Sequence, residues 1–294
     1  MNQIDPTLRE ELVFFPFGEN TLAGVLTIPS NPIGRTAIVA WGAGVFPSSA
    51  RNQFRTRLAR EIAQLGYHSF RFDYPGVGEA DGHYRTPVLE QPFSKEIVAV
   101  YEWLSSQGLV RPVIIANCFG AWSTLHALNQ LPDLAGLVAY NCPIRRDHKE
   151  IRAEEAGWRW WTDRLRHLTW RRLMNRNRRQ RYAKLAKARA SAITGVGGTN
   201  TNFFARKVES LVKAGVPMLF CYGDDGFRGD YEEALDKGLR AILESAGPGT
   251  GSLLLPKRIE GFPTISVQNE LTEGTVAWLR NSITDQVLGA AGQS

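Results

Sequence analysis

Apolar residues follow two rhythms along this chain: short continuous runs, and longer stretches in which they recur every three to four positions. Residues 10–17 (EELVFFPF) and 21–28 (TLAGVLTI) read as paired strands around a turn at Glu19-Asn20. Residues 36–41 (TAIVAW) form an unbroken apolar run, as expected of a strand covered on both faces. A loop of small residues follows over 42–50. Phe54, Leu58, Ile62 and Leu65 then fall at helical spacing and predict a helix over about 51–65, ended by Gly66.

The alternation continues. A strand is predicted over 68–73, stopped by Tyr74-Pro75-Gly76, then a helix over about 94–106 and a strand over 112–117. A helix over about 119–131 and a strand over 135–140 come next. From 145 to 210 there are helical segments but no buried-strand run. Strand 216–222, helix 231–244, strand 252–258 and helix 268–280 then restore the rhythm, and the tail after about 285 reads as loose. Strands alternating with helices predict an α/β fold with a mostly parallel sheet covered on both faces. The expected organisation is one core, 1–144 and 211–294, with 145–210 inserted as a helical lid.

Charge singles out that insertion. The 294 residues carry a net +6, yet 145–189 alone holds 16 Lys and Arg against 5 Asp and Glu, a local excess of 11 that leaves the remainder at −5. Trp158, Trp160, Trp161 and Trp170 lie in the same block. Such a block either is a solvated helical face or meets an anionic partner. No nucleic-acid module accompanies it, so nucleic acid is not the expected partner.

The other composition signals are exclusions. No apolar run reaches the roughly 18 residues of a membrane span. The first residues, MNQIDPTLREEL, have no apolar core of a secretory signal. Cys118, Cys142 and Cys221 are too few and scattered for a disulfide framework, and no Cys/His cluster predicts a metal site. A reducing cytoplasm is the expected compartment.

The chemistry concentrates at Ala116-Asn117-Cys118-Phe119-Gly120, where a predicted buried strand gives way to a helix. A nucleophile-type residue flanked two positions away by small residues is the pattern of a nucleophile elbow, here with Cys at the centre. The helix N-terminus predicts a lowered thiol pKa and a share of thiolate. The alternative is that Cys118 is simply a small buried residue at a strand end. Cys221, inside PMLFCYG, reads as core, and Cys142 as a neighbour of the crevice.

With Trp41-Gly42-Ala43-Gly44 after the third strand, the run GYHSFRFDYPGVGEADG from Gly66 to Gly82, and Tyr222-Gly223-Asp224-Asp225 after the strand that follows the lid, the elbow makes the chain resemble the α/β-hydrolase superfamily. Asn52-Gln53-Phe54 through Arg71-Phe72-Asp73-Tyr74 looks most like its Cys-nucleophile branch. That branch includes hydrolase-like proteins of exosortase systems and aminoacyl-shuttling enzymes of nonribosomal peptide pathways. The resemblance implies Cys118 as nucleophile, Asp225 (or Asp224) as acid, and the backbone N–H groups of Phe119 and Ala43 as oxyanion donors.

It also implies a histidine in the loop after the last strand. That loop reads Arg258-Ile259-Glu260-Gly261-Phe262-Pro263-Thr264-Ile265-Ser266, with Pro263 at the histidine position, and no histidine follows His167. His148 and His83 are the candidate substitutes. His126 lies eight residues past Cys118, about 12 Å along a helix, His68 starts a buried strand, and His167 lies in the lid.

Without an imidazole, a cysteine passing an acyl group to another thiol is favoured over hydrolysis, because water needs a base to take its proton. The expected function is therefore acyl, or aminoacyl, transfer through a Cys118 thioester. Its donor would be linked to phosphopantetheine or CoA, with no tightly bound cofactor. Arg171, Arg172, Arg178 and Arg179 of the lid would meet an acyl or peptidyl carrier protein or a CoA thioester. The alternatives are a thioesterase or esterase with a Cys nucleophile, and a catalytically degenerate binding module.

Overall fold

A computed structural model of the chain describes residues 8–40, 47–87, 89–144 and 199–282. The chain divides into two compact units, Met1–Pro143 with Ala205–Ser294, and Ile144–Phe204. The sheet and the candidate site belong to the first. Eight strands form one sheet: β1 (Arg9–Phe17), β2 (Asn20–Ile28), β3 (Arg35–Ala40), β4 (Tyr67–Asp73), β5 (Pro112–Asn117), β6 (Gly136–Tyr140), β7 (Met218–Tyr222) and β8 (Gly251–Leu254). Their order is β1-β2-β4-β3-β5-β6-β7-β8. β1, β2 and β4 pair antiparallel; every other pairing is parallel.

Burial explains the sequence rhythm. The central strands β3, β6 and β7 are buried at every position, as two-sided coverage requires, while the terminal strand β1 alternates. On one face, Phe54, Leu58 and Ile62 of α1 (Phe54–Gln64) share a core with Leu271, Trp278 and Leu279 of the final helix, Ile265–Ser282, and with Val39 and Val138. On the other, Trp103 of α2 (Ser94–Ser106) meets Phe70 of β4 at 5.2 Å and Phe15 of β1 at 5.1 Å between ring centroids. α3 (Phe119–Ala127) packs against α2.

After the insertion, α4 (Thr199–Lys213) leads to β7. α5 (Gly226–Ala234) begins five residues before the helix that periodicity predicts. A wide turn at Leu235–Leu239, with Gly238 at φ 111°, joins it to α6 (Arg240–Glu244), and Ile265–Ser282 is α7. β8 stops at Leu254, short of the predicted 258, because the chain turns away at Pro256 to approach β7's loop. Among the described residues, no helix is long and apolar enough to cross a membrane.

The chain steps from β3 to β4 on one side and then crosses to β5 on the other. In an open parallel sheet that reversal leaves a crevice at the carboxyl ends of β3 and β5. Cys118 follows β5 directly.

Candidate active site

The elbow is built by small residues. Ala116 pairs with Ala40 of β3 on one side and Ala139 of β6 on the other, so three alanines lie side by side at the sheet's carboxyl end. Beyond them the chain reverses sharply. Cys118 has φ 47° and ψ −114°, a conformation that costs a non-glycine residue about 1–3 kcal/mol. The turn is held from both ends: the Cys118 N–H donates to the Tyr140 carbonyl at 2.7 Å, and the Trp122 N–H donates to the Cys118 carbonyl at 3.1 Å. Ser123 braces the helix start, donating to the Phe119 carbonyl at 2.7 Å while accepting the Phe93 N–H at 2.9 Å.

Of the three thiols, Cys118 alone keeps some exposure and is half-buried; Cys142 and Cys221 are buried. The Phe119 N–H, the donor expected to serve an oxyanion, favours the charged form of the Cys118 sulfur. The expected lowered pKa is not what the site produces. Burial of the sulfur pushes the thiol up to about 11, outweighing the Phe119 N–H, and the charges of Glu260 and Asp225 push the same way. Desolvation and two carboxylates overcome the helix terminus, and the resting residue is a thiol.

Labelling should follow. Iodoacetamide is expected to modify Cys118 ahead of Cys142 and Cys221 in the folded protein. The rate should climb about tenfold per pH unit from pH 8 toward about 11. Peptide mapping checks both points, and a plateau below pH 8 would reveal a preformed thiolate. Cys142 is raised further still, by burial first and by the neighbouring Cys118 second.

Asp225 caps α5, its Oδ1 accepting the Phe227 N–H at 3.2 Å. Oδ2 accepts two more bonds, from Asn141 Nδ2 at 3.2 Å and from the backbone N–H of Glu260 at 3.2 Å. Three of a carboxylate's roughly four acceptor sites are therefore taken. Asp224 is exposed, and its N–H donates to the Lys257 carbonyl at 2.8 Å. Gly223 makes that approach feasible, since a Cβ there would lie 2.4 Å from the Lys257 carbonyl oxygen.

Asn141 follows β6, where it is buried with φ 46° and donates its N–H to the Cys221 carbonyl at 2.9 Å. Asn141, Asp225 and Glu260 thus form one hydrogen-bonded chain, and the charges of its two acidic members are felt at the sulfur. Sequence reasoning passed over Asn141 and Glu260. Glu260 was nevertheless visible as the one acidic residue in the loop Arg258–Ser266.

That loop is tightly anchored. Phe262, at φ 49°, is buried, with ring centroids 5.0 Å from Phe54 and 6.2 Å from Tyr140. Gln268 Nε2 holds its carbonyl at 3.0 Å. Pro263, at the position where the resemblance implies a histidine, is exposed, and what the loop presents to Asp225 is the Glu260 N–H. The Glu260 carboxylate pairs with Arg258 at 2.5 Å.

The described histidines lie elsewhere. His83 is exposed in the loop after β4. His68 starts β4, opposite Thr36 at the far end of the sheet. His126 lies two turns along α3, its ring edge-on to Trp122 at 5.1 Å. His148, Ala43 and the lid residues Arg171, Arg172, Arg178 and Arg179 lie outside the described residues. Among the described residues, no group of three or more His, Cys, Asp or Glu could hold a metal ion.

Solved structures share this architecture. An esterase from Pyrococcus furiosus superposes with a TM-score of 0.62 at 15% identity, over 93% of this chain and 91% of that one. An alpha/beta hydrolase from Penicillium gives 0.57 at 17% identity, over 93% and 99%. A proline iminopeptidase from Mycobacterium smegmatis gives 0.54 at 16% identity, over 92% and 98%. The chain has the α/β-hydrolase fold. No protein-family model and no curated protein sequence matches it. Within this α/β-hydrolase fold, Cys118 occupies the strand–turn–helix elbow, and Asp225 and Glu260 occupy the loops after β7 and β8.

Proposed function

We propose that the chain is an acyl-processing enzyme of the esterase or thioesterase kind, with Cys118 as its nucleophile. One observation carries this reading: a half-buried cysteine held at φ 47° on a sharp strand-to-helix turn, at the carboxyl edge of the sheet. A strained position is retained where the surroundings enforce it, and here they place one sulfur at the crevice. The sulfur attacks an ester or thioester carbonyl and forms an acyl-cysteine. The Phe119 N–H then turns from the sulfur to the developing oxyanion, which carries the charge it can stabilise. Ala43 is the proposed second donor.

Transfer to a thiol is a second reading, favoured by the absence of histidine from Arg258 onward. A pantetheine thiol displaces an acyl-cysteine with less help than water needs. In this reading the donor is linked to phosphopantetheine or CoA, and a carrier protein docks on the basic block of Arg171, Arg172, Arg178 and Arg179.

Product analysis separates the two. With acetyl-CoA as donor and free pantetheine added, an esterase-type enzyme releases acetate at a rate independent of the thiol. A transferase forms acetyl-pantetheine in proportion to it. Neither product above the rate with Cys118→Ala would contradict both.

A further inference from the structure

β3 opens on an arginine without a counter-charge. Arg35 is 6% exposed, and its Nη1 has no hydrogen-bond partner among the described residues. Buried guanidinium groups are ordinarily paired, because an unpaired charge out of water costs more than a lost hydrogen bond. The charges felt at Arg35 are those of Arg111, a second cation, and of the Tyr67 phenol; no described carboxylate is among them.

Strand register brings these residues side by side. Arg35 is opposite Tyr67 in the parallel β3–β4 pair. Thr36 is opposite Pro112 in the β3–β5 pair, so Arg111 arrives on the other flank of Arg35. Ala37, Val39 and Tyr67 belong to the core beneath α1 and α7, and the two-residue alternation of a strand puts Arg35 on that same face. Tyr67 is buried too, and its hydroxyl has no partner among the described residues. Burial pushes the phenol up to about 12, so at neutral pH it is an uncharged O–H donor.

The approach to Arg35 is open. A Cβ on Gly34, at φ 70°, would meet nothing within 4 Å. Ile33 and Val110, which precede Arg35 and Arg111 along the chain, and Arg111 itself are exposed. Asp133 reaches this edge, but both its oxygens are engaged: Oδ2 accepts the Arg111 backbone N–H at 2.9 Å, and Oδ1 accepts the Tyr101 hydroxyl at 2.5 Å.

We infer that Arg35, Arg111 and Tyr67 form a binding site for a tetrahedral oxyanion of the phosphate class, at the amino edge of the sheet and so opposite the Cys118 crevice. A guanidinium donates in a planar fork that matches two phosphate oxygens, and the phenol supplies a further donor. The ion brings the negative charge that two neighbouring cations call for. This site does not depend on the proposed role of Cys118.

Thermal unfolding of the full chain tests it, in HEPES at pH 7.5 with 20 mM sodium phosphate, 20 mM methyl phosphate, or sodium chloride at matched ionic strength. Phosphate is expected to raise the wild-type midpoint by about 3–5 °C over chloride. A response to methyl phosphate as well identifies the head group of a phosphomonoester as the ligand; a response to phosphate alone identifies the free ion.

Arg35→Met exchanges the unpaired charge for an apolar chain. It is expected to be at least as stable as wild type in chloride and to lose the phosphate response. Arg111→Gln changes an exposed residue, so it should keep the fold and at least halve the response. The basic lid is common to all three proteins, so phosphate bound there cancels in the comparison. Equal wild-type midpoints in phosphate and chloride would overturn the inference. So would a phosphate response that survives Arg35→Met or stays undiminished in Arg111→Gln. A fall of several degrees for Arg35→Met in chloride would show that the guanidinium is already paired, and would also overturn it.

Discussion

Cys118→Ala is expected to lower ester or thioester turnover by about 10³-fold or more, with little change in thermal stability. Removing the nucleophile of a covalent mechanism costs up to about 10⁶-fold, and the rest of the site recovers only a small part of the rate. The residue is half-buried and its side chain is small, so its truncation leaves the core intact. Cys118→Ser is expected to be nearly as inactive. A hydroxyl is a far weaker acid than a thiol, and the described groups whose charge is felt at position 118 are carboxylates. Steady-state hydrolysis of p-nitrophenyl acetate measures both. A serine variant with wild-type activity would mean that a true base stands beside the elbow.

Asp73→Ala is expected to destabilise the fold by about 3–5 kcal/mol, the cost of stranding a buried charge. Arg55 is 2% exposed and Asp73 is 3% exposed. Burial depresses the Arg55 guanidinium to about 10, and Asp73 is the largest opposing influence. Asp73 itself is raised by burial in spite of Arg55. Asp73 therefore offsets part of the cost of burying Arg55, and either charge without the other is costly.

These two residues also tie two loops to β4: Arg55 donates to the Pro47 carbonyl, and Asp73 accepts from Ser48 and from the Glu79 N–H. Gly78 leaves room for this, since a Cβ there would fall 2.2 Å from Asp73 Oδ2. At about 2–4 °C per kcal/mol, the midpoint should fall by roughly 10 °C. Differential scanning calorimetry checks it, and a loss under about 1 kcal/mol would show that other groups neutralise Arg55.

The fold was legible where burial imposes a pattern. Unbroken apolar runs such as TAIVA and PVIIA mark strands covered on both faces, and the spacing of Phe54, Leu58 and Ile62 marks a helix over a sheet. Ends were less legible, because caps and turns decide them. α5 starts at Gly226 because Asp225 caps it, although Gly226 and Gly229 interrupt any apolar rhythm. β8 ends early because its continuation turns to meet Gly223 and Asp224.

The elbow was legible from spacing alone, since steric crowding at the turn dictates small residues at 116 and 120. Its ionisation was not. A helix N-terminus can be read from sequence, whereas desolvation and the arrival of Glu260 from 142 positions away depend on the folded chain. Counting along the loop leads to Pro263, an exposed residue. What the folded loop brings to Asp225 is the backbone N–H of Glu260, a contact that residue counting does not reveal.

The central claim is that one sulfur, Cys118, carries the acyl group. Incubation with acetyl-CoA or p-nitrophenyl acetate, acid quench and intact-protein mass followed by peptide mapping tests it directly. The account predicts one acetyl group per chain, located on Cys118, absent from Cys118→Ala and not found on Cys142 or Cys221. An unmodified protein that still turns substrate over, or an acetyl group on any other residue at the turnover rate, would contradict it.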